Sequence, residues 1–203
     1  MNLIEITQDL MRSVKFIFST LFEVLKLINP ANIDSVFKNI KIGTPWMLSL
    51  YILIVTVPLA LGYFFYLYYF QLNPYSLENS AKVALRYYAL GVLLPMSMAY
   101  ALYLFDKRLL KRKVTYAEAL TMFVYALSPG ILGGIFRIFN ETFVLHILLI
   151  MYTIYLIFAG MSARYGEERI TLPFLFLILV GMICGITVFV VLTTIMGIPP
   201  GYY

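Results

Sequence analysis

The chain has 203 residues, 62% of them hydrophobic and 12% charged, with a mean hydropathy of +0.89. An ordinary soluble domain carries about 25% charge, so a core surrounded by water is excluded and lipid is the expected solvent. The net charge of +5 sits in short loops between apolar runs rather than on a polar surface, which excludes nucleic acid as partner and leaves an anionic membrane face.

Residues 3–28 set Leu3, Ile6, Leu10, Val14, Ile17, Leu21, Val24 and Ile28 on one helical stripe, with Glu5, Asp9, Arg12, Glu23 and Lys26 largely opposite. This predicts an amphipathic helix on the cytoplasmic interface or packed under a bundle. Its near-heptad spacing leaves a dimerising coiled coil, and hence a homo-oligomer, open. Asn29-Pro30 is an N-cap followed by a first-turn proline, predicting a short second helix to Ile40 that Gly43 stops. Residues 1–42 therefore read as cytoplasmic interfacial helices, and 43–203 as the membrane domain.

Five spans are expected, at 46–70, 83–105, 116–139, 143–161 and 171–197, which makes the fold class an all-α five-helix bundle. The first ends in a run of aromatics, Tyr63 to Phe70, suited to the headgroup level, and Asn73-Pro74 turns the chain beyond it. Arg86 lies near the outer end of the second span, close enough to snorkel. Thr115-x-x-Glu118 opens the third as a capping box. Pro58, Pro95 and Pro129, near the centres of the first three spans, predict kinks, with Thr56, Ser97 and Ser128 as local partners for freed carbonyls. Gly130 with Gly134, and Gly181 with Gly185, have the spacing of close helix approach.

Five of the 15 basic residues fall in the loop Asp106–Lys113, at Lys107, Arg108, Lys111, Arg112 and Lys113. With the N-terminus inside, 12 of the 15 lie on inner segments and only Lys82, Arg86 and Arg137 outside. That asymmetry predicts a cytoplasmic N-terminus and an outer C-terminus. The five loop cations are the candidate contacts for anionic lipid headgroups or a cytoplasmic protein partner. Arg86, Arg137, Glu141 and His146 converge near the outer interface as a candidate polar cluster, read either as snorkelling side chains or as a ligand or ion site.

No cofactor, metal or enzymatic activity is expected. One histidine and one cysteine, Cys184, make no conventional zinc site or disulfide, and no His-Glu-x-x-His, Gly-x-Ser-x-Gly or P-loop pattern occurs.

Over about residues 25–197 the chain resembles the Yip domain family, integral membrane proteins named for interaction with Ypt/Rab GTPases, with relatives in bacteria and archaea. The resemblance rests on Pro30 and Phe37 before the first span. It continues through Thr115-Tyr116-Ala117-Glu118-Ala119-Leu120 to Tyr125-Ala126-Leu127-Ser128-Pro129, and through Leu148 to Gly160. It implies a five-helix bundle with a cytoplasmic N-terminus and, for eukaryotic relatives, roles in vesicle trafficking. Where those relatives carry an acidic-Leu-x-Gly-Pro element this chain reads Gly43-Thr44-Pro45-Trp46, so a GTPase partner is not carried over, and a prokaryotic member is expected. The function implied is scaffolding through the cytoplasmic face. The rival is a transporter or channel for a small or lipid-like solute, with the three prolines opening a cavity.

Overall fold

Thr44 and Pro45 open the first span: the Thr44 hydroxyl accepts from the Met47 amide at 3.3 Å, and proline in the first turn has no amide to waste. The computed structural model describes residues 3–71 and 75–197, so the Asn73-Pro74 turn and the tail from Pro199 lie outside the described residues. Helices α1 (Leu3–Lys26) and α2 (Ile33–Lys38) precede the membrane domain. The first span is α3 (Pro45–Val55) with α4 (Val57–Phe65), and the others are α5 (Leu77–Leu104), α6 (Tyr116–Leu132), α7 (Phe143–Tyr165) and α8 (Thr171–Met196). With their terminal turns, five spans of 22 to 33 residues result, each long enough at about 1.5 Å per residue for a hydrocarbon layer of about 30 Å. The protein is an all-α, multi-pass integral membrane protein.

The prolines act unequally. Pro58 coincides with a break at Thr56 that divides α3 from α4, whereas helical backbone runs through Pro95 and Pro129. The predicted hydroxyl partners bond one to three residues away from the carbonyls that the prolines free. Thr56 donates to Ile52, Ser97 to Leu93 and Leu94, and Ser128 to Val124, each the ordinary back-bond of a hydroxyl to its own preceding turn.

Helix α6 is the axle. All twelve residues from Ala119 to Gly130 are buried, because α3, α5 and α7 pack around it and α1 closes one side. Its many small residues permit this: a Cβ on Gly130 would lie 2.5 Å from the Thr153 hydroxyl of α7. At its start the Thr115 hydroxyl accepts from the Glu118 amide at 3.3 Å, while the reciprocal carboxylate bond of a full capping box is not made among the described residues. Thr115→Ala should therefore lower stability by about 1 kcal/mol, read as a drop in thermal midpoint in detergent, with Thr115→Ser nearly neutral. By contrast α8 leans mainly on α5 and buries only Pro173 and Leu177, leaving most of its apolar surface to lipid.

Helices α1, from Met11 on, and α2 form a V, bent by 118°, packed against the bundle. Asn29 caps the turn by accepting from the Ala31 amide at 3.1 Å. At the apex the Tyr152 hydroxyl donates to the Leu27 carbonyl. Tyr152 is thirteen residues from the end of α7 at Tyr165, so the turn reaches about 20 Å along the bundle. Phe37 returns to the level of Gly160 and Met122. The packed seam of α1 keeps Ile17, Leu21 and Val24 of the predicted stripe but not Val14, and the first members Leu3, Ile6 and Leu10 fall outside the described side chains. Ser13, Thr20, Val24 and Leu27 are buried, while Met11, Val14, Phe18, Phe22 and Leu25 form an exposed apolar stripe. A helix between protein, lipid and water has three faces, and the one that meets the bundle mixes Ser13 and Thr20 with Phe16, Ile17, Leu21 and Val24.

Candidate functional site

At the end of the bundle carrying the basic loop, α5 unwinds into a wide turn from Phe105 to Leu109, and Asp106 points inward rather than to water. Its side chain is fully buried. A carboxylate there must find donors, and it finds three. Arg164 approaches Oδ2 with Nε at 3.0 Å and a terminal nitrogen at 2.7 Å, and the Tyr165 hydroxyl donates to Oδ1 at 2.5 Å. Backbone and stacking contacts draw the loop into the same knot. The Arg112 amide donates to the Asp106 carbonyl at 3.0 Å, and its guanidinium donates to the Arg164 carbonyl at 3.3 Å while lying 5.1 Å from the Tyr165 ring.

To close this loop Lys111 takes φ 51°, the left-handed region, although it is not glycine, at a cost of about 1 to 2 kcal/mol. The consequence is a fixed presentation. Lys107, Arg108, Lys111 and Lys113 are exposed, and Lys107 alone of these is tethered, donating to the Tyr103 hydroxyl at 2.8 Å. Arg112 belongs to the knot, so four of the five sequence-nominated cations are presented outward. Lys38 and Lys41 are exposed as well, and Lys38 lines the same depression as Arg164. Beside them the V of α1 and α2 encloses a polar cleft of about 570 Å³, bordered by Ser19, Asn32, Asn39, Lys41 and the Glu23–Lys26 ion pair of 2.7 Å.

At the opposite end, three of the four nominated residues come together. The Tyr63 and Tyr87 rings stack at 3.5 Å. Arg137 lies 5.6 Å from Tyr63, 4.2 Å from Tyr66 and 3.9 Å from Phe143, while Arg86 lies 5.2 Å from Tyr87 and 4.2 Å from Phe189. His146 meets Tyr63 edge-on at 6.3 Å. Glu141 is exposed and joins no ion pair among the described residues.

Arg86 does not snorkel: it is 1% exposed. The helix begins at Leu77, six residues before the expected boundary, because Ser76 caps it by accepting from the Asn79 amide at 3.2 Å. That earlier start places Arg86 nine residues, about 14 Å, into the helix rather than at its outer end. The Asp106–Arg164 pair escaped sequence reasoning, since its members are 58 positions apart. A signal existed in the lone acid heading a basic run, an arrangement that costs more than it gains on a purely lipid-seeking loop.

The family model for the Yip1 domain matches residues 25–192. Neither the curated proteins nor the solved structures give a match to the chain.

Proposed function

The chain belongs to the Yip1 domain family, and on that premise we propose that it is a non-enzymatic membrane organiser whose basic end faces the cytoplasm and gathers anionic lipid headgroups or an acidic partner there. The observation that carries this reading is the Asp106 knot, which fixes a loop that would otherwise be mobile and holds four cations outward. Each cation near an anionic surface is worth about 1 kcal/mol, falling off within a Debye length of about 8 Å at physiological ionic strength. Held together they act as one patch, so ordering them costs nothing further at the moment of contact.

The basic end is the cytoplasmic end because retention of cations there threads the chain, which puts the N-terminus inside and the C-terminus outside. Against a conduit, the polar cleft between α1 and α2 shares no lining residue with the arginine cluster at the opposite end. The slot nearest that cluster is almost wholly apolar.

The test uses the whole protein in bilayers containing spin-labelled phosphatidylglycerol or phosphatidylcholine. The motionally restricted fraction should be larger for the anionic label. Raising the salt should shrink the excess, as should replacing Lys107, Arg108, Lys111 and Lys113 together by glutamine. An excess indifferent to both would reject the proposal. Orientation is read separately, from Lys111→Cys in a Cys184→Ser background. An impermeant maleimide should label it only from the cytoplasmic side, and labelling from outside would reject the threading.

A further inference from the structure

The arginine cluster far from the basic loop is left unused by that reading, and its charges are not balanced. Arg86 is buried at 1% exposure and makes one hydrogen bond, from a terminal nitrogen to the Thr193 hydroxyl at 3.2 Å. Arg137 makes none among the described residues, and the Nε of each guanidinium is buried without a partner. Aromatic rings lie against both, and apart from the Arg86–Thr193 bond their donor-bearing edges meet no hydrogen-bond acceptor among the described residues. No described carboxylate pairs with either. A buried guanidinium beside a half-buried one, with no described carboxylate between them, calls for an anion that the described residues do not supply.

The space for one is there. Arg86 and Arg137 line a chamber of about 120 Å³ whose wall includes Tyr63 and Tyr87, ample for a phosphoryl group, since about 10 to 15 Å³ of such space already admits a water. The same two tyrosines form the end of a second cavity of about 240 Å³ that runs between α4, α5, α6 and α7 past Leu90, Leu94 and Pro95. From Tyr87 to Pro95 is eight residues of α5, or about 12 Å along the helix. His146, 2% exposed, stands at the junction with its Nδ1 unpartnered. A polar chamber with two cationic edges, meeting an apolar slot at the stacked Tyr63 and Tyr87 rings, has the form of a headgroup site with a chain groove beside it.

We propose that this is a binding site for a phosphorylated membrane lipid, the phosphate held between Arg86 and Arg137 and one hydrocarbon chain lying in the slot toward Leu94. Two guanidinium charges match a phosphate monoester, which carries close to two negative charges at neutral pH, better than a diester with one. Because Arg86 is buried and the chamber only partly open, its binding persists at salt concentrations that dissolve the surface contacts of the loop.

The site is tested with the full chain in detergent, by native mass spectrometry and thermal midpoint, using dioleoyl phosphatidic acid, dioleoyl phosphatidylcholine, dioleoylglycerol and inorganic phosphate as probes. Phosphatidic acid should be retained and should raise the midpoint, phosphatidylcholine and dioleoylglycerol much less. Arg86→Gln and Arg137→Gln should each weaken it by about tenfold or more, since each removes a charge-assisted contact. Leu94→Trp, which fills the slot without touching the arginines, should weaken the lipid and leave inorganic phosphate unaffected, and it serves where an arginine variant does not fold. The fourfold glutamine variant of the basic loop should bind as the parent does, which separates this site from the proposed cytoplasmic patch. Equal retention of phosphatidic acid and phosphatidylcholine, or retention unchanged by Leu94→Trp and by both arginine variants, would overturn the proposal. Stabilisation by inorganic phosphate equal to that by the lipid would overturn the lipid as occupant.

Discussion

Asp106→Ala should destabilise the protein by about 3 kcal/mol, the lower end of the range for breaking a buried ion pair from one side. The lower end applies because the Arg164 side chain keeps 15% exposure and can turn partly toward water once its partner is gone, whereas Asp106 has none. The loss falls on the loop first. With the carboxylate removed, two guanidinium contacts and the Tyr165 hydroxyl lose their acceptor, and nothing then offsets the left-handed backbone at Lys111. Trypsin cleavage within 107–113 should rise by about two orders of magnitude, the factor that corresponds to about 3 kcal/mol in a local opening equilibrium. Tyr165→Phe, which removes one neutral donor, should cost only about 1 kcal/mol. Replacing both partners, Asp106→Leu with Arg164→Leu, should recover much of the thermal midpoint but not the protection from trypsin. An Asp106→Ala variant as stable and as resistant as the parent would show that the pair does not hold the loop.

That pair also marks where sequence reading gives out. Hydropathy finds all five spans, because a charge-free run such as 42–77 has no other stable fate in a chain this apolar. Local chemistry is equally legible: Asn29 and Thr115 both cap the helices they precede. What composition does not encode is which apolar helix is central. Helices α6 and α8 both read as greasy rods, yet 72% of the apolar window of α6 is buried against 6% for α8. The better clue is the scatter of Ala119, Thr121, Ala126, Ser128 and Gly130 along α6, whose short side chains let three neighbours close in at once.

The arginine cluster was half legible for a related reason. Spacing from the predicted span ends brought Arg86, Arg137 and His146 to one level, and the structure gathers them around Tyr63 and Tyr87. Glu141 stays outside on its turn. Depth was misjudged, because the polar residues Asn79, Ser80 and Lys82 obscure the first two turns of α5. Lys82 is accommodated there by an ion pair to Glu78 at 2.6 Å on the helix surface, an exposed i,i+4 contact that lets a helix begin in polar sequence.

Gly62→Ala should be nearly as damaging as loss of the Asp106 pair, although it adds a single methyl group. A Cβ at Gly62 would overlap the carbonyl oxygen of Gly134 and press on the Arg137 Cβ at 3.4 Å. The obstruction is backbone, which cannot rotate aside, so α4 must lift away from the turn 133–137. Overpacking of this kind costs about 3 kcal/mol. Gly134→Ala meets the same crossing from the other side, its Cβ 2.5 Å from the Leu59 Cα. The matched control is Gly185→Ala on α8, where nothing lies within 4 Å of the added atom; there the helix should be unchanged or gain up to about 1 kcal/mol from alanine's better propensity. Both pairs of glycines share one sequence spacing, so thermal midpoints that fell equally for Gly134→Ala and Gly185→Ala would mean α8 is buried after all. A fall confined to Gly62 and Gly134 would instead tie the crossing of α4 over this turn to the placement of Arg137. Phosphatidic acid retention should drop in the same two variants even below their unfolding temperatures, because the turn that α4 displaces is the one that sets the guanidinium against Tyr66 and Phe143.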